Sequence, residues 1–110
     1  MKDYNRCQLG MAPSKLGAYS ELRATTWLME QGYEVFRNVS PCGKTDLIAE
    51  KGGEFLRIDV KTGNWTKTGY LSGVSQARIN KAEEDGVKLL IVMPDGKCIY
   101  GQDAVDKYHK

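Results

Sequence analysis

The sequence predicts an α/β domain, one mixed β-sheet of about five strands flanked by helices in the order αβββαββ. Three observations carry that prediction. Residues 45–61, TDLIAEKGGEFLRIDVK, read as two strands joined at Lys51-Gly52-Gly53, because adjacent glycines supply the positive φ angles of a tight hairpin. Residues 88–93, KLLIVM, form a continuous apolar run of strand length, as expected of a central strand covered on both faces. Residues 15–31 lie between Ser14, a candidate N-cap, and Gly32, a candidate stop, and therefore read as a helix.

At 110 residues the chain is long enough for one core without disulfides or metal as staples. We therefore expect residues 1–110 to make a single domain, with 1–12 as a loose lead-in. On the helix, Ala18, Leu22 and Met29 share one stripe, and Gly17, Ala24 and Leu28 the adjoining one. Glu21 belongs to the second stripe and should face inward or lie at the core's edge. A carboxylate there needs compensation. It comes either from an ion pair with Arg23 or Arg37 or from a metal-water site, and Gly17 one turn below leaves room for a substrate to approach.

Residues 33–38 alternate apolar and polar with β-favouring side chains and read as a strand. The Pro and Gly of NVSPCGKT, residues 38–45, mark a loop. A second loop at 62–73 carries Trp65, Lys67 and Tyr70. Aromatics interleaved with lysine suit nucleic-acid contact by stacking and phosphate pairing, while packing onto the domain is the alternative for side chains of such apolar area. Ser75 should cap a helix running to about Asp85, stopped by Gly86, with Ala77, Ile79 and Ala82 as its small or apolar positions. Pro94-Asp95-Gly96 then turns into an edge strand at 97–100, and residues 102–110 close the chain as a short helix capped by Asp103.

Composition narrows the function classes. Lys+Arg 16 against Asp+Glu 14 leaves a net charge of only +2, so charge distribution rather than total must speak for any polyanion ligand. Cys7, Cys42 and Cys98 are an odd number without C-x-x-C spacing, which points to reduced thiols in a cytosolic protein. The one histidine, His109, stands next to the last residue and leaves no internal partner for a histidine triad or zinc site. No apolar run is long enough to span a bilayer, and residues 1–12 lack a signal-peptide core.

Chemistry concentrates in the hairpin. Alternation along the second strand sends Leu56, Ile58 and Val60 one way and Phe55, Arg57, Asp59 and Lys61 the other. In-register pairing brings Asp46 toward Asp59. Such charges most often make a solvated face, yet two carboxylates beside a lysine also suit a hard divalent cation and a phosphate.

Together, GAYSE, GYEVFRN and TDLIAEKGGEFLRIDVKTG, followed by a helix and KLLIVM, resemble the PD-(D/E)xK nuclease superfamily over roughly residues 14–93. The likeness is nearest to Holliday junction resolvases of archaeal type and to the small intron-encoded, homing-type endonucleases. It implies that Glu21 helps hold a metal or its water, that Asp46 bridges or ligates the metal and Asp59 is the second carboxylate ligand with the Val60 carbonyl contributing, and that Lys61 orients or deprotonates the attacking water and steadies the pentacovalent charge. Thr45 replaces the motif's proline, and Asp59 is one methylene shorter than the more frequent glutamate. The implied cofactor is Mg²⁺, with Mn²⁺ able to substitute, and the implied partner is DNA, branched or duplex, with no membrane association. Candidate DNA contacts are Lys44, Trp65, Lys67, Ser40, Arg78 and Lys81. One site per chain and two strands to cut imply a homodimer. The leading expectation is thus a metal-dependent DNA endonuclease, resolvase-like. Its rivals are a sequence-specific homing-type enzyme, a non-catalytic nucleic-acid-binding module on the same fold, and a small α/β domain whose acids form surface ion pairs.

Overall fold

A computed structural model describes residues 11–40 and 43–109. The lead-in up to residue 10, Cys7, Cys42 and Lys110 lie outside the described residues. The first helix, α1 (Pro13–Glu30), begins two residues earlier than Ser14 capping implied. Pro13 occupies the first turn and Ala12 is the N-cap, without a side-chain bond. Proline's fixed φ suits that position, so Ser14 is drawn inside the helix. The stop falls where expected: Gly32 N donates to Met29 O and Tyr33 N to Leu28 O, each at about 3 Å, the paired closure of a Schellman end.

The buried row of α1 is Leu16, Ser20, Ala24 and Leu28. Ala24 and Leu28 were expected there. The stripe of Ala18, Leu22 and Met29 faces solvent instead, with Leu22 and Met29 each 61% exposed. Glu21 lies at the edge, half-buried.

The strands are β1 (Glu34–Arg37), β2 (Leu47–Lys51), β3 (Glu54–Thr62), β4 (Asn64–Trp65), β5 (Leu71–Ser72), β6 (Val87–Val92) and β7 (Cys98–Tyr100), with α2 (Gln76–Glu84) and α3 (Gly101–Tyr108) as the later helices. Five strands form one mixed sheet in the order β1-β2-β3-β6-β7. Only β3 and β6 run parallel within it. Gly52 and Gly53, at φ +61° and +83°, close the β2–β3 hairpin as a tight turn that residues with a Cβ resist.

The stretch expected as a loop at 62–73 contains a separate two-stranded sheet, β4 with β5. Gly73 then passes so close to β3 that a Cβ on it would stand 2.4 Å from the Thr62 carbonyl oxygen. That contact admits the chain into the crossover to α2. The cap of α2 is Ser75, whose hydroxyl accepts from Arg78 N at 3.2 Å. Of its small or apolar positions Ile79 is buried and Ala82 half-buried, whereas Ala77 is exposed. Likewise α3 starts at Gly101, capped by Tyr100. Asp103 sits in its first turn rather than at the cap, where its charge still complements the helix dipole.

The sheet is covered on both faces. Against α1 lie Leu47, Ala49, Ile58, Leu90 and Val92 with Ala24 and Leu28. Beneath α2 and α3 lie Leu89, Ile91 and Met93 with Leu71, Val74, Ile79 and Ala104. No helix among the described residues is long and apolar enough to cross a membrane.

Candidate active site

The β2–β3 hairpin places the acids. Leu47 pairs with Ile58, and the residue before Leu47 continues the ladder, Asp46 N donating to Ile58 O at 2.8 Å. Its carboxylate then turns across the strand, where Asp46 Oδ2 accepts from Val60 N at 2.7 Å. Asp46 is thereby fixed beside Asp59. Burial first, then the neighbouring Asp46 carboxyl, push the Asp59 carboxyl up from 3.8 to about 6, against the pull of Lys61. Lys61 Nζ stands 3.4 Å from Asp59 Oδ2.

Asp46, Asp59, Val60 and Lys61 line a cleft of about 620 Å³, together with Glu21 and Gly17 from α1. Lys44, Arg78 and Lys81 line it as well. All four residues expected to carry chemistry therefore border one space, Asp59 and Lys61 from the face of β3 turned away from α1 and Glu21 from α1 itself. Glu21 stands apart from the acid pair in one respect: its Oε1 lies 3.6 Å from Arg37 Nε. Of the two ion-pair partners anticipated, Arg37 is the one in place. Among the described residues no three acidic, histidine or cysteine side chains are gathered tightly enough to hold a metal ion, so the converged set is two acids and a lysine.

The remaining candidates divide. Lys44 pairs with Asp85 at 3.2 Å. Arg57 reinforces the same junction, donating to Thr45 Oγ1 at 3.0 Å and to Asp85 O at 2.9 Å. Both bonds tie the loop before Asp46 to the end of α2. Ser40 lines a smaller adjoining cleft. Trp65 packs edge-on against Tyr108 with ring centroids 4.9 Å apart, the domain-packing alternative, and Lys67 is exposed on the same hairpin loop. Neither borders the carboxylate cleft. Tyr70 stacks on His109 at 4.0 Å, and His109 Nε2 bonds Leu71 O at 2.6 Å, so this histidine is occupied away from the acids. Cys98 is half-buried, and burial pushes its thiol up to about 11, which keeps it protonated and unreactive.

Two cleft residues escaped the sequence reading. Ser20, 2% exposed, shares a 2.7 Å hydrogen bond with Thr62 Oγ1. The bond joins α1, beside Glu21, to β3, beside Lys61. A serine among Leu16, Ala24 and Leu28 was the available signal, since a hydroxyl in a core row needs a partner.

Comparison with known proteins bears on the family and the fold. A UPF0102 protein of Caldicellulosiruptor saccharolyticus is 28% identical over 101 residues, covering 89% of this chain and 86% of that protein. A UPF0102 protein of Caulobacter vibrioides is 39% identical over 54 residues, 47% of this chain. In that match the chain spans less than half the length of the relative, 43%. Among solved structures, the bacterial homing endonuclease I-Ssp6803I shares the fold with a TM-score of 0.62 at 18% identity, over 86% of this chain and 70% of that one. Residues 11–101 match the family model described as PD-(D/E)XK endonuclease, and the chain belongs to that family.

Proposed function

We propose that this protein is a divalent-metal-dependent endonuclease that hydrolyses DNA phosphodiester bonds, with four-way junctions as its preferred substrate and a homodimer as its working form. The observation that carries this reading is the Asp46 carboxylate held by Val60 N at 2.7 Å beside Asp59, with Lys61 Nζ 3.4 Å from Asp59, in a cleft also lined by Arg78 and Lys81.

The donor set fits a hard cation. Burial above all, and then the neighbouring Asp46 carboxyl, make the charged form of Asp59 costly, and its raised pKa records that cost. A bound cation would offset it. Asp46 and Asp59 would hold it, with the Val60 carbonyl and waters completing an oxygen shell. Once bound, a Mg²⁺ or Mn²⁺ ion supplies charge neutralisation at the scissile phosphate and acidifies water.

The chain's own groups do the rest. Val60 N–H locks the Asp46 carboxylate in one orientation. Lys61, whose side chain is 41% exposed toward the cleft, reaches a phosphate oxygen or the attacking water and steadies the negative charge that grows on phosphorus. Arg78 and Lys81 take flanking phosphates, which positions a strand without reading its bases. Glu21, at the far wall, is available to orient water.

End-labelled four-way junction, plain duplex and single strand incubated with Mg²⁺ test the proposal. Cleavage of the junction in preference to the others, abolished by EDTA and by Lys61→Ala, is expected. Equal or better cutting of one duplex sequence would favour the homing-type reading. Binding of every substrate with no product would leave a non-catalytic module.

A further inference from the structure

A second cleft of about 370 Å³ adjoins the first and is lined by Glu21, Arg37, Asn38, Val39, Ser40 and Asp46. Glu21 and Asp46 border both spaces and so form the wall between them. On one side stand Lys61, Arg78 and Lys81. On the other, Arg37 is the cation. Its backbone is well placed: Arg37 pairs with Leu47, and Asn38 N donates to Asp46 O at 2.9 Å.

Arg37 holds Glu21 loosely. The contact is a single 3.6 Å approach through Nε, and the Arg37 side chain is 66% exposed. A pair this open is a weak one. A phosphate is the stronger partner, because the planar guanidinium fork takes two of its oxygens at once.

We propose that the smaller cleft is a second phosphate subsite for a nucleic-acid strand, and that Arg37 exchanges Glu21 for a backbone phosphate when the strand is seated. This rests on the nuclease reading above. A strand with its scissile phosphate at Asp46 and Asp59 runs toward Arg78 and Lys81 in one direction and over the wall toward Arg37 in the other. The exchange also frees the Glu21 carboxylate to turn toward the acid pair. The two acids of the wall oppose a polyanion, and Arg37 is the cation on this side that offsets them.

Fluorescence anisotropy of a labelled 20-base-pair duplex and a labelled four-way junction, with Ca²⁺ present and NaCl varied, tests the exchange. Arg37→Ala should weaken binding about tenfold and lower the slope of log K against log salt by about one, the mark of one lost phosphate contact. Arg37→Lys should keep the slope and recover part of the affinity. Glu21→Gln should tighten binding severalfold when Arg37 is present and have no such effect beside Arg37→Ala. An ion pair of purely structural value predicts instead an unchanged slope in both Arg37 variants. Wild-type binding with that unchanged slope would overturn the subsite and leave the nuclease reading standing, whereas a wild-type chain that binds neither DNA would take down both. Circular dichroism of each variant confirms that the exposed substitution leaves the fold intact.

Discussion

Strands β3 and β6 run side by side in parallel register, Asp59 beside Leu89 and Lys61 beside Ile91, yet their second faces have opposite fates. On β6 that face is roofed by α2 and α3 and is part of an apolar core. On β3 it opens into the cleft. The first face is apolar on both strands, with Ile58, Leu90 and Val92 packed under α1. The difference teaches that a central strand need only be half core: one apolar row anchors β3, which leaves the other row free for charged groups. A lateral shift of a few ångströms across the sheet separates burial from chemistry.

The comparison is broken most sharply by removing the charged row. Asp46→Ala, Asp59→Ala or Lys61→Ala should each lower cleavage by about 10³-fold, measured as initial rates on the labelled junction, with circular dichroism showing that the fold is retained. Moving the charge to the neighbouring strand does the reverse. Leu89→Asp puts a carboxylate into the roofed core and should cost roughly 3–5 kcal/mol or prevent folding, read by urea denaturation. Ile58→Ala, on the anchoring row, leaves a cavity and should cost about 2–4 kcal/mol by the same measurement.

Smaller effects sharpen the boundary. Ser20→Ala strands the Thr62 hydroxyl and should destabilise by about 1–2 kcal/mol. If the Ser20–Thr62 bond also sets the spacing between Glu21 and Lys61, the rate falls with it, whereas Ser20→Thr restores both. The smallest effect concerns Asp59 without metal. Its carboxyl titrates at about 6 in the fold against 3.8 outside it, so the folded state binds that proton more tightly. The corresponding stability is full below about pH 4 and is lost as pH rises through 6. Asp59→Asn should therefore raise metal-free stability at pH 7 by roughly 1 kcal/mol. Thermal melts in EDTA from pH 4 to 8 should show the two proteins converging at the acid end and parting at the neutral end.

Much of this was legible in the sequence because it is local. Gly52-Gly53 marks the hairpin turn, Ser75 and Gly86 bracket α2, and the run at 88–93 identifies the central strand. The acids at 46 and 59 follow from hairpin register alone. What failed to show depended on distant partners. The hydrophobic residues Leu22 and Met29 read as a core stripe, but the sheet meets α1 along the row of Leu16, Ser20, Ala24 and Leu28. Ser20 belongs there because Thr62, 42 residues away, satisfies it. The two-residue strands β4 and β5 have no alternation to read, and they are held by Leu71, which is fully buried. Glu21, read as facing inward or lying at the core's edge, lies at the edge, while the choice of Arg37 over Arg23 as its neighbour needed the position of β1.

The tight turn at Gly52 and Gly53 also orders the assembly of the molecule in time. Asp46 and Asp59 are 13 positions apart and meet by zipping a single hairpin, a short loop to close. Arg78 and Lys81 reach the same space only after the parallel crossover from β3 to β6, whose partners are far apart along the chain. The acid pair and Lys61 should therefore come together before Arg78 and Lys81 join them, so that the cleft is completed only when the crossover closes.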